Sequence, residues 1–475
     1  MDQNKLKKGC AIALAGFAVL ALLLYLIGGE QFHYREDETD MLSQVAVVEE
    51  ITADDTVEQE IQLNGNVVGL SLLGATYNRT NTGTLELELL NGDTVLDHLS
   101  VDVSQMADNQ EHYVPLHNPI TESGTVLLRI TAPESEPDNA VTLYYGSLSE
   151  ERKNPAEDTP AKLNGKEING ALCVSLTTKT KILFGDVYWY CVGVLLAVLG
   201  IFSLRLLKAN ERGETTQTLK LLHAFSRYRF LMKQLVARDF KTKYKRSVLG
   251  VLWSFLNPLL TMTVQYIIFS TLFRSSIPNF ALYLLIGVVC FSFFSEATNM
   301  TLSSIVGNAS LITKVYVPKY IYPVTRVLSS AVNFLLSLVP LLLVVLITRT
   351  PIRFSFLLIP LVILCLMALC LGVGMLLASA MVFFRDTQFL WGVVLMLWMY
   401  ATPIFYPETI LPDRLLPLFK CNPLYHIIRF FRTAVMNGVS PEPKAYALML
   451  LASLIPLLLG VLVFKKTQDK FILYL

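Results

Sequence analysis

FSFLLIPLVILCLMALCLGVGMLLASAM, residues 354–381, runs for 28 residues without a charged side chain. A bilayer core about 30 Å thick is crossed by roughly 20 apolar residues in a helix. A helix is also the form that satisfies its own backbone where no water reaches it. The stretch therefore reads as a membrane span with length to spare for tilt. Seven further apolar runs lie at 9–28, 187–207, 249–273, 281–302, 322–348, 389–403 and 445–464. The run 389–403 is short and meets Pro403, so it is expected to bend or to continue as a partly re-entrant segment. With 53% hydrophobic and 16% charged residues in 475, the chain is too apolar for a soluble protein. The predicted fold class is a polytopic α-helical membrane protein of about eight spans.

The formal net charge of +1 hides a segregation. Between Glu30 and Lys181 acidic residues outnumber basic ones, whereas Lys and Arg dominate elsewhere. Lys5, Lys7, Lys8, Arg205, Lys208, Arg212, the cluster Lys241, Lys243, Lys245 and Arg246, then Lys314, Lys319, Arg385, Lys465 and Lys466 all flank apolar runs. Positive charge at span ends stays cytoplasmic, so both termini are expected inside and residues 30–182 outside the cytoplasmic membrane. Arg349 and Arg353 alone argue the other way. The first run ends in Gly28-Gly29-Glu30, a poor cleavage site, and reads as an uncleaved anchor, with a cleaved signal peptide as the alternative. The expected organisation is an anchor span at 1–29, an outside domain at 30–182 and a second span at 183–210. A cytoplasmic linker and interface helix follow at 211–248, and six spans at 249–475. The basic residues serve membrane loops, so membrane lipids are expected partners and nucleic acid is not.

Residues 57–176 switch to the period of strands. Thr84-Leu85-Glu86-Leu87-Glu88-Leu89 alternates strictly, Asn91-Gly92-Asp93 supplies a tight turn, and Thr94 to Val101 reads as the returning strand. Val126 to Thr131 and Val141 to Tyr145 add strands. The pattern predicts an inserted all-β extracytoplasmic domain, a β-sandwich of jelly-roll type. Tyr77, Arg79, Tyr144 and Tyr145 are its candidate glycan contacts, since sugar rings stack on aromatic faces and hydrogen-bond at their edges; strand aromatics in a core are the alternative. Asp54-Asp55 suggests a calcium ligand less well than it suggests solvated carboxylates. Only Cys173 of the seven cysteines falls in this region, so no disulfide framework forms there, and no Cys/His spacing suggests a metal site.

From Leu219 to Arg238, apolar Leu222, Phe225, Phe230, Leu231 and Leu235 interleave with Lys220, Arg227, Arg229 and Lys233, the pattern of a basic amphipathic helix in a membrane interface. Arg238-Asp239-Phe240-Lys241-Thr242-Lys243-Tyr244-Lys245-Arg246-Ser247-Val248-Leu249-Gly250 follows, then Trp253 and Asn257-Pro258. Asn308-Ala309-Ser310-Leu311-Ile312-Thr313-Lys314-Val315-Tyr316-Val317-Pro318, Phe383-Phe384-Arg385-Asp386, Pro403-Ile404-Phe405-Tyr406-Pro407 and Asn422-Pro423-Leu424 come next, in that order. In these segments, over about 219–475, the chain resembles the membrane subunits of polysaccharide-exporting ABC transporters, those of O-antigen, capsule and teichoic acid export. The first 210 residues have no counterpart in that resemblance. It implies a homodimer around a channel, with two copies of a separate ATPase subunit docked from the cytoplasm and a polysaccharide or lipid-linked glycan as cargo. No Gly-x4-Gly-Lys-Ser/Thr loop occurs, so ATP and magnesium belong to the partner, and this chain is expected to bind no cofactor of its own. The resemblance further implies that Asn308, Leu311, Ile312, Lys314, Val315, Pro318 and Lys319 form the ATPase-coupling segment. Lys314 and Lys319 would be its exposed charges, with Leu311, Ile312 and Val315 filling a partner groove.

A hydroxyl-rich chain crossing hydrocarbon needs broad, sliding contacts. Phe255, Tyr266 and Phe273 share one helical face, and Trp391 and Trp398 make a second stripe. With Phe405 and Tyr406 they are the candidate channel lining, bundle core being the alternative. Glu296 lies within a span and must be paired, protonated or wet; Asn299 is a candidate partner, and Glu296, Arg385 and Asp386 are read as gating or structural residues. Arg414, Lys420, Arg429 and Arg432 are candidates to face phosphate or anionic sugars near the exit, or to anchor the interface. Gly374 and Ala378 suit close helix packing. The rival readings are a polytopic glycosyltransferase or polymerase, disfavoured by the lack of an Asp-x-Asp pair, and the same fold carrying a lipid or drug. No catalytic residue is expected.

Overall fold

The computed structural model describes the chain apart from residues 1–2, 40, 43, 148–158, 215, 246–248, 274–278, 316, 409–411, 413 and 475, and apart from the side chains of 217, 221 and 270–273. It divides into a helical unit, Met1–Phe32 with Phe184–Leu475, and a β unit, His33–Leu183.

The helical unit contains α1 (Gln3–Gly28), α2 (Phe184–Glu211), α3 (Gln217–Tyr244), α4 (Trp253–Phe273), α5 (Phe280–Leu302), α6 (Ala309–Lys314), α7 (Ile321–Ile347), α8 (Ile359–Phe383), α9 (Thr387–Tyr400), α10 (Leu416–Lys420), α11 (Pro423–Arg432), α12 (Pro443–Thr467) and α13 (Phe471–Tyr474). Among the described residues, seven helices are long and apolar enough to cross a membrane: α1, α2, α4, α5, α7, α8 and α12 with their end turns. The expected eighth span is α9, whose 14 residues reach only about 21 Å at 1.5 Å each. It stops at Tyr400, three residues before Pro403, and the short helices α10 and α11 follow.

α5 is the hub, packed against α4, α7 and α8. Leu282, Leu284, Leu285, Ile286, Cys290, Phe294 and Ala297 on it are fully buried. Close approach is set by glycine. A Cβ on Gly460 of α12 would sit 2.1 Å from the Gly372 carbonyl of α8, and one on Gly374 would meet Thr301 of α5 at 2.6 Å. Gly374 thus makes the close contact its spacing predicts. α1 and α2 form a pair joined by the Tyr188 hydroxyl, which donates to the Ala21 carbonyl at 2.6 Å. Their other faces are exposed apolar side chains, as a lipid-facing pair requires.

The β unit holds two antiparallel sheets over one core. The strands are β1 (Tyr34–Glu38), β2 (Gln44–Val47), β3 (Thr56–Leu63), β4 (Val67–Ala75), β5 (Thr84–Asn91), β6 (Thr94–Asp102), β7 (Gln110–Ile120), β8 (Gly124–Thr131), β9 (Thr142–Gly146), β10 (Lys162–Leu163), β11 (Lys166–Glu167), β12 (Ala171–Leu172) and β13 (Val174–Lys181). One sheet runs β1-β13-β4-β9-β12, with β7 also on β4 and β2 on β9; the other runs β11-β10-β3-β8-β5-β6. The alternation read at Thr84–Leu89 places Leu85, Leu87 and Leu89 in the core with Ile61, Leu128 and Ile130. The predicted hairpin forms with Gly92 at φ +61, a conformation that costs glycine nothing.

Candidate functional site: a polar cleft in the helical unit

Three apolar helices carry polar stripes at helical spacing. On α4 these are Ser254, Asn257 and Thr261; on α5, Ser292 and Glu296; on α7, Arg326, Ser329, Ser330, Asn333 and Ser337. The stripes converge on the C-terminal end of α3. They line two adjoining cavities of about 320 and 620 Å3 that share Lys243, Glu296 and Asn333. Trp253, Tyr244, Phe293 and Phe334 add aromatic surface to the smaller one.

The hydrogen bonds there form one chain through four helices. Lys243 Nζ donates to Glu296 Oε1 at 2.8 Å, and Asn333 Nδ2 donates to the same oxygen at 2.7 Å. The Tyr244 hydroxyl donates to Asn333 Oδ1 at 3.0 Å and also meets Ser254 Oγ. One turn away Asp239 receives Arg326 at 2.7 Å and Ser329 Oγ at 3.2 Å. The interface helix is therefore fastened to α5 and α7 by two charge pairs. Such charge-assisted bonds are roughly twice as strong as neutral ones. Glu296 is paired, but its partners are Lys243 and Asn333; Asn299, three residues along the same helix, is not among them. Asn333 reaches the carboxylate from the facing helix α7.

The segment expected to couple to the ATPase is a 3-10 turn, Val306–Asn308, followed by α6. Asn308 is buried, its Nδ2 bonded to the Ser304 carbonyl at 2.7 Å. Ile312 is buried in a cluster with Ile305, Val317, Tyr322, Phe464 and Phe471, on which Leu311 and the α3 residues Tyr228, Leu231 and Met232 pack. Ile312 is thus spent on its own chain and leaves nothing for a partner groove. Lys314 and Val315 are exposed, and Pro318 is half-buried. Lys319 departs from the expectation of an exposed charge: it is half-buried and its Nζ donates to the Gln468 carbonyl at 2.6 Å, tying the segment to the C-terminal turn.

The expected channel aromatics separate. Phe255 is half-buried and Tyr266 exposed on α4; the Phe273 side chain lies outside the described residues. Trp391 is buried, its Nε1 donating to Thr298 Oγ1 at 3.3 Å, and Trp398 Nε1 donates to Asn422 Oδ1 at 2.8 Å. Phe294 packs on both indoles. Phe405 is buried and stacks on Phe269 with centroids 5.3 Å apart, and the Tyr406 hydroxyl donates to the Tyr400 carbonyl at 2.6 Å. Arg385 and Asp386 are exposed in the turn between α8 and α9, with no ion pair between them among the described residues.

Arg432 does not face solvent as an exit cation would. It is 8% exposed, and its guanidinium donates to the carbonyls of Pro403, Ile404 and Tyr283 at 2.7, 3.1 and 3.2 Å while lying 3.3 Å over the Tyr283 ring. It caps the backbone freed where the chain breaks after α9. Arg429 Nη1 donates to the Tyr425 hydroxyl at 3.1 Å, which in turn donates to Glu408 at 2.8 Å.

In the β unit Tyr77 and Arg79 come together, the guanidinium 4.9 Å over the ring. Arg79 also pairs with Glu50 and Asp138, and its hydrogen bond holds the Glu50 carboxyl below the usual range. The Tyr144 hydroxyl bonds to Asn109, while Tyr145, its neighbour on β9, points to the opposite face. Asp55 caps its own turn, accepting from Thr52 and Asn164. Among the described residues no group of three or more His, Cys, Asp or Glu side chains converges as a metal site would need.

Residues 231–436, which hold the cleft, the segment around α6 and the Arg432 cage, match the family model described as ABC-2 type transporter. The chain is 31% identical over 258 residues to the O-antigen export system permease protein RfbA of Myxococcus xanthus, covering 53% of this chain and 98% of that one. It is 28% identical over 242 residues to RfbA of Klebsiella pneumoniae, covering 51% and 93%. The chain belongs to the ABC-2 type transporter family. Identity to the polysialic acid transport protein KpsM of Escherichia coli is 23% over 241 residues, covering 50% and 93%. As an ABC-2 permease it is a multi-pass membrane subunit of a transporter, which removes the glycosyltransferase reading. The family match begins within α3, so α1, the β unit and α2 lie outside it. The polar stripes that built the cleft were missed in the sequence, although the spacing 326, 329, 330, 333, 337 on an apolar helix announces them.

Proposed function

We propose that this permease exports a polysaccharide or lipid-linked glycan across the cytoplasmic membrane, as a homodimer driven by two copies of a separate ATPase subunit that carries the ATP and magnesium. The observation that carries the reading is the cleft: serine, asparagine and threonine stripes on three spans, interleaved with aromatic rings and barred by a Lys243–Glu296 pair. Hydroxyls and amides replace the water a sugar chain would lose, and the rings supply contacts that slide. The relatives named for O-antigen and polysialic acid export support a glycan over a lipid or drug.

Exposed Lys314 and Val315 on the braced segment would receive the ATPase. Because α3 packs on the same cluster as Leu311 and Ile312, a push on that segment reaches α3, and through Lys243 and Asp239 it reaches α5 and α7. The tyrosine and phenylalanine side chains of α4, Phe255 and Tyr266, would face the dimer mate's path, with Phe405 and Tyr406 bracing the outer end. Both termini would lie in the cytoplasm and residues 30–182 outside, with the short α9 and the segment after it making the eighth crossing beside the seven long helices. The test is deletion of the gene in its own host: surface glycan should vanish while its lipid-linked precursor accumulates inside, and the wild-type gene should restore both. Unchanged surface glycan would refute the reading.

A further inference from the structure

The outward face of the first sheet has a construction that the helical unit does not use. Gly69, Ser71 and Leu73 on β4 alternate with Leu70 and Leu72, which enter the core. Direct pairing sets Thr177 and Ser175 of β13 beside Gly69 and Ser71, and Pro115, Tyr113 and Glu111 of β7 on the other side. Glu38 of β1 pairs with Thr177, and its Oε1 receives Ser175 Oγ at 2.9 Å and Ser71 Oγ at 3.3 Å. A Cβ on Gly69 would lie 2.4 to 2.6 Å from the Tyr113 ring and hydroxyl. The ring is therefore laid flat on the sheet, which only glycine beneath it permits. It is 49% exposed, whereas Ser71 and Ser175 around it are 3% and 1% exposed. A half-exposed aromatic face over a floor of buried, bonded hydroxyls, with carboxylates on both sides, is costly to leave to chance.

We propose that this face is a sugar platform, on which Tyr113 carries the C–H face of a pyranose ring while Glu38 and Glu111 accept its hydroxyls, and that it takes neutral sugars. Aromatic rings hold apolar sugar faces by stacking, and ionised carboxylates accept hydroxyl bonds strongly. The sign of the surroundings selects the cargo. Burial and the neighbouring Glu38 push the Glu111 carboxyl up, and burial followed by Glu36 and Glu38 pushes the Tyr113 phenol up, with Lys179 opposing. A sialic or uronic acid would add another negative charge among these three. The inference rests on the glycan-export reading and names the sugar class at a place that reading leaves open.

The test uses the full-length chain in nanodiscs, without ATPase or ATP, on an array of neutral hexose and N-acetylhexosamine oligosaccharides and of sialylated and uronate ones. Binding should be confined to neutral glycans. Tyr113→Ala should weaken it about tenfold, Tyr113→Trp should keep it, and Gly69→Val, which lifts the ring but leaves the tyrosine, should weaken it by a similar factor, all with unchanged elution and thermal unfolding. Failure of the wild type to bind any neutral glycan, equal binding of acidic ones, or wild-type binding by Tyr113→Ala overturns the platform. Failure on the array with export intact in cells overturns the platform alone; binding on the array with surface glycan unaffected by gene deletion overturns the export reading alone.

Discussion

Glu296 illustrates how a single side chain declares itself. An ionised group at the centre of a span costs about 3 kcal/mol even on lenient insertion scales; Glu296 lies six residues from the end of α5, partly exposed, where Lys243 and Asn333 pair it. If the pair bars the cleft, Lys243→Glu should lower surface glycan about tenfold through like-charge repulsion, and adding Glu296→Lys should restore much of it. Full activity in the single variant, or a double variant no better than the singles, would count against a bar. Arg432 has a different duty. Removing it strands three buried carbonyls, each worth about 1–3 kcal/mol when unpaired, so Arg432→Ala should lower the unfolding temperature by several degrees. Arg432→Lys should not rescue it, because an ammonium cannot fork across three carbonyls and stack on Tyr283. A Lys variant as stable as the wild type would contradict that role.

Among the elements, α6 and its flanks separate two lysines that look alike in sequence. Lys314 is exposed, whereas Lys319 is held by the Gln468 carbonyl. Charge reversal at Lys314 should reduce recovery of the ATPase with tagged permease while leaving thermal unfolding unchanged. Reversal at Lys319 should lower the unfolding temperature; equal ATPase recovery with and without the Lys314 change would refute docking there. The spans were legible because apolar length is a local property, and the hairpin at Asn91-Gly92 because turn chemistry is local too. β1 and β2 were not, since Tyr34–Glu38 is a charged edge strand whose place is set only by pairing with β13. The roles of Trp391 and Ile312 were likewise hidden: period puts a residue on a face, but only packing says whether that face meets core, partner or path. Arg432 was read as an exit cation for the same reason, because its partners are carbonyls of a segment distant in sequence.

At the scale of the whole molecule, the charge asymmetry supports the proposed topology, with the β unit outside. A cysteine placed at Asn91 in a Cys191→Ser, Cys421→Ser background should react with an impermeant maleimide in intact cells. Cys173 adds no background, because it is buried and its thiol is pushed up to about 11. Protection until lysis would reverse the orientation. The central claim is that this helical unit is a glycan conduit powered from outside its own chain. It is tested most directly in sealed vesicles holding the purified permease with its co-purifying ATPase and a radiolabelled lipid-linked glycan. ATP should drive the glycan across only when both subunits are present, and glycan that stays put under ATP hydrolysis, or crosses equally well without the permease, would contradict it.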